Sequence, residues 1–486
     1  MAGKKNLLSD YSQGRFFCEL MGTRKDAGTG GLQAHIAKRL SRMSLDGLRR
    51  RAAAAERELY NLGITFTVYT EADAIDRILP FDVLPRVISA ADWDIIERGS
   101  KQRIQVINQF LHDIYHDQKI LKDKVIPRSL VTGNENFRKE MMGVDLPGNT
   151  YVHIYGVDLV RDETGTFKVL EDNGRTPSGV SYVVENRHLM LRTFPDLMEG
   201  IGIRPVSDYG LRLRQALAQV APKGIEEEAA QVALMSPGIY NSAYFEHVFL
   251  AREMGVPLVE GRDLVVEDDK VYMKTTAGLE RIHVVYRRIN DDFIDPEAFN
   301  KKSMLGVKGI MRAYAKGNVT LANAIGTGVA DDKAVYAYMP RITRYYLDED
   351  PIIDNVETHI CREKQGLEYT CDNIRKLVVK PVGEAGGYGV LIGPRATKAD
   401  IDKRLRELRR DPSNYISQPV INLSVVPTLT PQGIQPRHVD LRPFVVTGRS
   451  TWVLPGGLSR VALKKGSLIV NSSQGGGSKD TWVLEE

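Results

Sequence analysis

Residues 151–173 read YVHIYGVDLVRDETGTFKVLEDN, two strand-like runs around the turn signal Asp162-Glu163-Thr164-Gly165. Side chains alternate between faces along a strand, so Glu171 and Asn173, two positions apart, share one face. Asp158 lies on the preceding strand. A two-residue loop at Thr164-Gly165 sets Asp158 directly opposite Glu171. A loop at Glu163-Thr164 sets it diagonal, and only a three-residue loop turns it away. Two like charges across a strand pair destabilise a sheet. A hard cation offsets that cost, and Asp158, Glu171 and Asn173 offer the oxygen ligands that Mg²⁺ prefers. The competing reading is a solvated sheet face with alternating polar residues.

Working outward, VVENRHLMLRTF predicts a helix after the hairpin. Before it, Ile95, Ile96, Ile104, Ile107, Phe110, Leu111 and Ile114 recur at helical steps between about Asp92 and Lys122. The N-terminal part reads as a polar start, one basic helix (AHIAKRLSRMSLDGLRRRAAAAERELYNLG) and a strand (ITFTVYT). From about Gln231 a strand, helix, strand, hairpin, strand alternation predicts a small α/β unit. The expected divisions are residues 1–75, a helical extension; 76–230, helices plus the hairpin; 231–325, the α/β unit; and 326–486, the rest.

Three further motifs suit phosphate chemistry. Val378-Val379-Lys380-Pro381 carries a lysine from a strand into a loop holding Gly383, Gly386, Gly387 and Gly389. Glycines let backbone N–H groups approach phosphate oxygens, and the lysine adds a point charge; a flexible hairpin loop is the bland alternative. No G-x-x-x-x-G-K-[ST] occurs. Arg437, Arg442 and Arg460 form a basic C-terminal group, followed by the polar segment Asn471–Ser478. Arginines suit phosphoryl groups and carboxylates, although surface arginines are common. His112-Asp113 and His116-Asp117 repeat at i, i+4 spacing, which fits a solvated helix face better than a metal site. Tyr286-Arg287-Arg288 either binds an anion or ends a strand.

Composition bounds the remainder. The chain has 486 residues with a net charge of +4 from 66 basic and 62 acidic side chains. That balance argues against nucleic-acid binding. Three cysteines without a C-x-x-C pair, no apolar leader and no long apolar run predict a cytoplasmic protein away from membranes.

The motifs together resemble the ATP-grasp superfamily. VVKP with GEAGGYG is similar to its phosphate lysine and glycine-rich loop. Tyr415–Ile421, YISQPVI, is similar to its hinge strand, in which the backbone of Gln418 and Val420 would read adenine. This hinge carries Gln418 and Pro419 where many relatives have acidic residues. Asp440–Val446, DLRPFVV, resembles a strand of ribosomal-protein glutamate ligases, and Arg460, Asn471 and Gly475–Gly477 resemble the segment after it. The family then expects an aspartate and an E-x-N motif. Here these stand near the N-terminus, as Asp158, Glu171 and Asn173.

This order resembles the circularly permuted ATP-grasp family, type 2, also described as glutathionylspermidine-synthase-like. LEDNGRTPSGVSYVVENR, GTGVADDK and NSSQGGGSKDTWVL carry the likeness, which spans roughly residues 75 to 486. It implies an α/β (α+β) ATP-grasp fold in permuted order, with a small pre-ATP-grasp-like domain. It further implies ATP and Mg²⁺ as cofactors, with Lys333 and Lys380 on the phosphates and Asp158, Glu171 and Asn173 on the metal. A carboxylate–amine ligase acting through an acylphosphate follows, with Arg442 and Arg460 stabilising charge. Arg175 and Ser178 would hold the acid, and Asn241, Ser242, Arg287 and Asn471 the remainder of the substrates. The substrates would be small-molecule or peptide carboxylates and amines. A phosphotransferase on the same fold and a noncatalytic nucleotide-binding partner are the alternatives. No motif encodes an oligomeric state.

Overall fold

Strand Ile154–Arg161 is the pivot of the molecule, and all eight of its residues are buried. The computed structural model describes residues 7–21, 32–69, 74–382, 389–467, 470 and 476–485. Ile154–Arg161 pairs antiparallel with Phe167–Asn173, with Phe444–Thr447 and, through Leu441 opposite Leu159, with Gly433–Arg442. Gly433–Arg442 in turn pairs with Val425–Thr430 and Leu458–Val461, and Leu458–Val461 with Gly477–Val483. Gly477–Val483 runs parallel to Phe81–Ile88 at the far side. One nine-stranded sheet thus joins residues from both halves of the chain.

The hairpin differs from the simplest expectation in one respect. Asp162 N–H donates to Thr166 O and Gly165 N–H to Asp162 O, so the loop is the three residues Glu163–Gly165. Gly165 takes φ +84°, the left-handed conformation this turn needs. That register alone would turn Asp158 away. A bulge between Asp158 and Leu159 shifts it back, and Asp158 stands opposite Glu171 while Leu170 is left over. Leu170 packs beside Val160, Val356 and Leu423. Asp172 consequently points behind the sheet, where Arg103 grips both its oxygens at 2.6 and 2.7 Å.

Arg103 comes from helix Ala90–Tyr115, capped by Ser89, whose hydroxyl accepts from Asp92 N–H. Ile96, Ile104, Ile107, Phe110, Leu111 and Ile114 are buried as the periodicity predicts, each contributing about 1.5–3 kcal/mol by apolar burial. Ile95 is 43% exposed and does not belong to that face. The basic N-terminal stretch forms two helices, Leu32–Ser41 and Leu45–Asn61, because Ser44 caps the second by accepting from Gly47 N–H. Ahead of them, Glu19 enters the core and pairs with Arg86 at 2.7 Å, both side chains fully buried.

Residues 232–322 hold a parallel sheet in the order Thr320–Ala322, Val284–Arg287, Val232–Met235, Leu258–Val259. A separate antiparallel sheet orders His359–Ile360, Tyr415–Pro419, Leu377–Pro381 and Leu391–Ile392. Among the described residues no helix is long and apolar enough to cross a membrane.

Candidate active site

Asp158 is fully buried at the centre of a charge cluster. Its Oδ1 accepts from Arg442 Nε at 2.5 Å, and its Oδ2 from Arg442 Nη2 at 2.8 Å and Arg460 Nη2 at 2.6 Å. Arg460 also holds Asp440, Nε to Oδ1 at 2.9 Å and Nη2 to Oδ2 at 2.6 Å. Neighbouring strands make this possible: Asp440 stands opposite Arg460 across one ladder. Gly156 makes room, since a Cβ there would meet Arg442 Cδ and Pro177 Cβ at 3.1 Å. Burial disfavours the charge on Asp158, yet Arg442 and Arg460 outweigh it and hold the carboxyl well below its ordinary range. Burial lifts Asp440 against the pull of Arg460.

Glu171 behaves in the opposite way. Burial first and the adjacent Asp158 charge second raise it above the ordinary carboxylate value, with Lys333 pulling it down. Asn173 Nδ2 reaches Asp158 Oδ1 at 3.5 Å. Lys380, on strand Leu377–Pro381 of the other sheet, faces the same carboxylates. Burial pushes its ammonium down to about 8, with Glu171 opposing the shift and Lys333 adding to it. Lys333 opens helix Lys333–Leu347, whose N-cap Asp332 accepts from Ala334 and Val335 N–H.

This donor set fits a divalent cation at Glu171 and Asn173. A cation there would relieve the proton affinity that Asp158 imposes on Glu171. Both oxygens of Asp158 are already engaged by guanidinium groups, so it stands behind the pair. Among the described residues no group of three or more His, Cys, Asp or Glu could hold a metal. Asp113, on the helix with His112 and just before its C-cap His116, holds the following turn by accepting from Lys119 and Ile120 N–H.

The segment after Asn173 is gripped from all sides. Asp331 Oδ1 accepts from the N–H of Gly174 and of Arg175. Asn323 Nδ2 donates to the carbonyls of Gly174 and Arg175 at 2.8 and 3.3 Å. Arg288 Nη1 donates to Pro177 O at 2.7 Å and Arg442 Nη1 to Ser178 O at 3.2 Å. Glu246, buried and paired with Arg288, accepts from Gly179 and Ser181 N–H. Gly179 has φ +107°, and a Cβ there would stand 2.6 Å from Leu458 Cδ2. Arg175 keeps its guanidinium 3.8 Å from Asp331 Oδ2, half-open to the cleft.

The cluster therefore gathers Asp158, Glu171, Asn173, Lys333, Lys380, Arg442 and Arg460, with Arg175 and Ser178 on the adjoining segment. Val420 lines a cavity of about 580 Å³ with Val356, Thr358, Pro419, Ile421 and Lys168. Gln418 is buried and donates to Thr358 Oγ1 at 2.9 Å. Gly389 is described, at φ +67°, whereas Gly386, Gly387 and Asn471 lie outside the described residues. Of the other sequence-derived residues, Arg287, Asn241 and Arg437 bond to groups outside the cluster. Arg287 is fully buried and donates to the carbonyls of Asn323, Ile289 and Ala324, each at 2.7 Å, so its charge serves the strand end. Asn241 Oδ1 accepts from Ala243 N–H in the loop that also holds Ser242. Arg437 donates to main-chain carbonyls of Leu463 and Pro436.

Asp440, Asp331 and Asn323 carry roles that the sequence does not assign, although Asp440 opens DLRPFVV and Asp331 stands in GTGVADDK. Asp440 left a signal, standing two residues before Arg442 on one strand face. The contacts of Asp331 and Asn323 left no local signal, because their partners are about 150 positions away.

The fold and this cluster define an ATP-grasp protein threaded in permuted order. The chain belongs to the family described as circularly permuted ATP-grasp type 2, which matches residues 85–462. It is 49% identical over 479 residues to an uncharacterized protein of Synechocystis, covering 98% of this chain and 99% of that one. It is 50% identical over 438 residues to an uncharacterized protein of Mycobacterium tuberculosis, covering 90% and 78%. A Frankia alni protein provisionally named glutamate–cysteine ligase 2-3 is 42% identical over 450 residues, which cover 92% of this chain and 52% of that one. A solved glutathione synthetase-like effector of Globodera pallida, in apo form, superposes with a TM-score of 0.60 at 11% identity, covering 91% and 98%, and shares the fold.

Proposed function

We propose that the protein is an ATP-dependent carboxylate–amine ligase that works through an acylphosphate. The observation that carries this is the cluster itself. Asp158, shared by Arg442 and Arg460, stands beside Glu171 on one sheet, with Lys380 facing it from another. Phosphoryl transfer needs positive charge around the transferring group and a cation site against it, both in one cleft.

In this reading the adenine end of ATP lies along the cavity at Pro419–Ile421, and Lys333 and Lys380 hold its phosphates. Glu171 and Asn173 would hold Mg²⁺, which when bound neutralises charge on the β- and γ-phosphates. Arg175 holds the acid so that its carboxylate oxygen meets the γ-phosphorus. The P–O bond to ADP breaks as the bond to the carboxylate oxygen forms. An amine nitrogen then attacks the acyl carbon, phosphate leaves, and the nitrogen loses a proton. Arg442 and Arg460 stabilise the negative charge that gathers in both steps. The proposed substrates are a small-molecule or peptide acid and an amine, and the Frankia name makes L-glutamate the first acid to try.

The test is phosphate release from ATP with Mg²⁺ over pooled acids and amines, products read by mass spectrometry. The expected result is ADP and phosphate dependent on both pools, with an amide. A stable phosphorylated product from one pool alone would make the protein a phosphotransferase instead. Failure to bind ATP at all would leave the noncatalytic partner reading.

A further inference from the structure

The two residues that follow the E-x-N motif are held from opposite edges by one short stretch of chain. Asp331 takes their N–H groups and Asn323 their carbonyls. Asn323 is buried, and the same side chain also fixes the start of strand Ile154–Arg161. Its Oδ1 accepts from His153 and Ile154 N–H at 2.7 and 2.8 Å, and its Nδ2 donates to Ile154 O at 2.6 Å. Two residues beyond Asp331, Lys333 enters the cleft. A single stretch thus sets both strands of the carboxylate hairpin, the direction of Arg175 and the position of a lysine.

Asp331 is placed for more than backbone support. Its second oxygen faces Arg175 Nε at 3.8 Å, too long for a hydrogen bond. That Nε–H is buried and has no acceptor. The side chain as a whole is 36% exposed, so its guanidinium, steered by Asp331 but held in no tight ion pair, can take an incoming carboxylate through its outer nitrogens. A buried arginine fully paired, as Arg287 is with Asp291 and three carbonyls, could not do this.

We propose that Asp331 is a positioning residue: with Asn323 it locks the Gly174–Arg175 segment, and through its second carboxyl oxygen, 3.8 Å from Nε, it aims Arg175 at the carboxylate of the acid substrate. The second half rests on the ligase reading above. The first half does not.

The experiment therefore has two arms. In the first, hydrogen–deuterium exchange of the Gly174 and Arg175 amides is followed in the ligand-free protein. Asp331→Ala removes the acceptor, and exchange of both amides is expected to accelerate at least about tenfold. Asp331→Asn keeps an oxygen in place, and protection is expected to stay within about threefold of wild type. Unchanged exchange in Asp331→Ala overturns the clamp. In the second arm, ATP turnover is measured with L-glutamate as the probe acid, alongside the affinity for Mg·AMP-PNP. Asp331→Asn is expected to raise the KM for L-glutamate about tenfold, with kcat and nucleotide affinity within about threefold. A wild-type KM in Asp331→Asn overturns the aiming of Arg175, because the oxygen that faces Arg175 has become an NH2 while an acceptor remains for the Gly174 and Arg175 amides. Wild-type protein that turns over no ATP with L-glutamate overturns this acid assignment, and the clamp then stands or falls on the exchange result.

Discussion

Replacing Lys380 by methionine separates a lysine that serves a ligand from one that serves the fold. Burial has pushed its ammonium from 10.5 to about 8, so the charged form is disfavoured where it stands. At about 1.4 kcal/mol per pH unit, that shift corresponds to roughly 3 kcal/mol. Lys380 is partly open to the cleft, and solvent screening trims the figure to roughly 2–3 kcal/mol. Lys380→Met, similar in length and uncharged, is therefore expected to be more stable than wild type at pH 7. The sign follows from proton counting. Between pH 8 and 10.5 the folded protein has lost this proton and the unfolded chain has not, so wild-type stability rises across that window. The variant lacks that rise, and the two stabilities converge near pH 10. Nucleotide binding moves the other way. Losing a charged contact to phosphate costs about 1.5–3 kcal/mol, or roughly 10- to 100-fold in Kd for Mg·AMP-PNP. Urea melts at pH 7 and pH 10 and calorimetric titration with Mg·AMP-PNP read both effects. A variant less stable at pH 7, or one binding the nucleotide as wild type does, refutes the assignment of Lys380 to the phosphates.

Glu171→Gln keeps the shape and removes the charge pressed against Asp158. Because the folded carboxyl is raised, wild type loses stability as pH climbs from 4.5 through that raised value, and the variant does not. Melts should therefore favour the variant at pH 7 and coincide at pH 4, while Mg²⁺-dependent turnover falls by more than about 100-fold, beyond what changes outside a metal's direct ligands cost. Gly179→Ala meets both a φ of +107° and Leu458 Cδ2 at 2.6 Å, and should lose about 2–3 kcal/mol; an unchanged urea midpoint would mean that the turn before helix Val180–Thr193 relaxes freely.

The permuted thread was legible because it lies in the order of motifs, and each motif is local. Asp158, Glu171 and Asn173 alternate on strands, and Asp440–Val446 reads as a strand that needs neighbours. The means of holding their register was not legible. The turn Glu163–Gly165 and the bulge at Leu170 each shift the pairing by one, and only together do they restore Asp158 to Glu171. Periodicity also says nothing of depth. Tyr286-Arg287-Arg288 reads equally as an anion site or a strand end, and the full burial of Arg287 decides for the strand end. Glu19, read as part of a polar extension, is buried against Arg86, a partner chosen only by tertiary packing.

The sheet that unites the two ends of the cluster has a consequence for synthesis. Asp158 leaves the ribosome 284 residues ahead of Arg442. At about 5–20 residues per second, that is a wait of roughly 15–60 s. Throughout it the hairpin presents unpaired backbone along its outer edge, the surface on which nascent strands aggregate. The central sheet of this protein is thus completed only late in translation, and chaperone binding to the growing chain should concentrate between the emergence of residues 173 and 433.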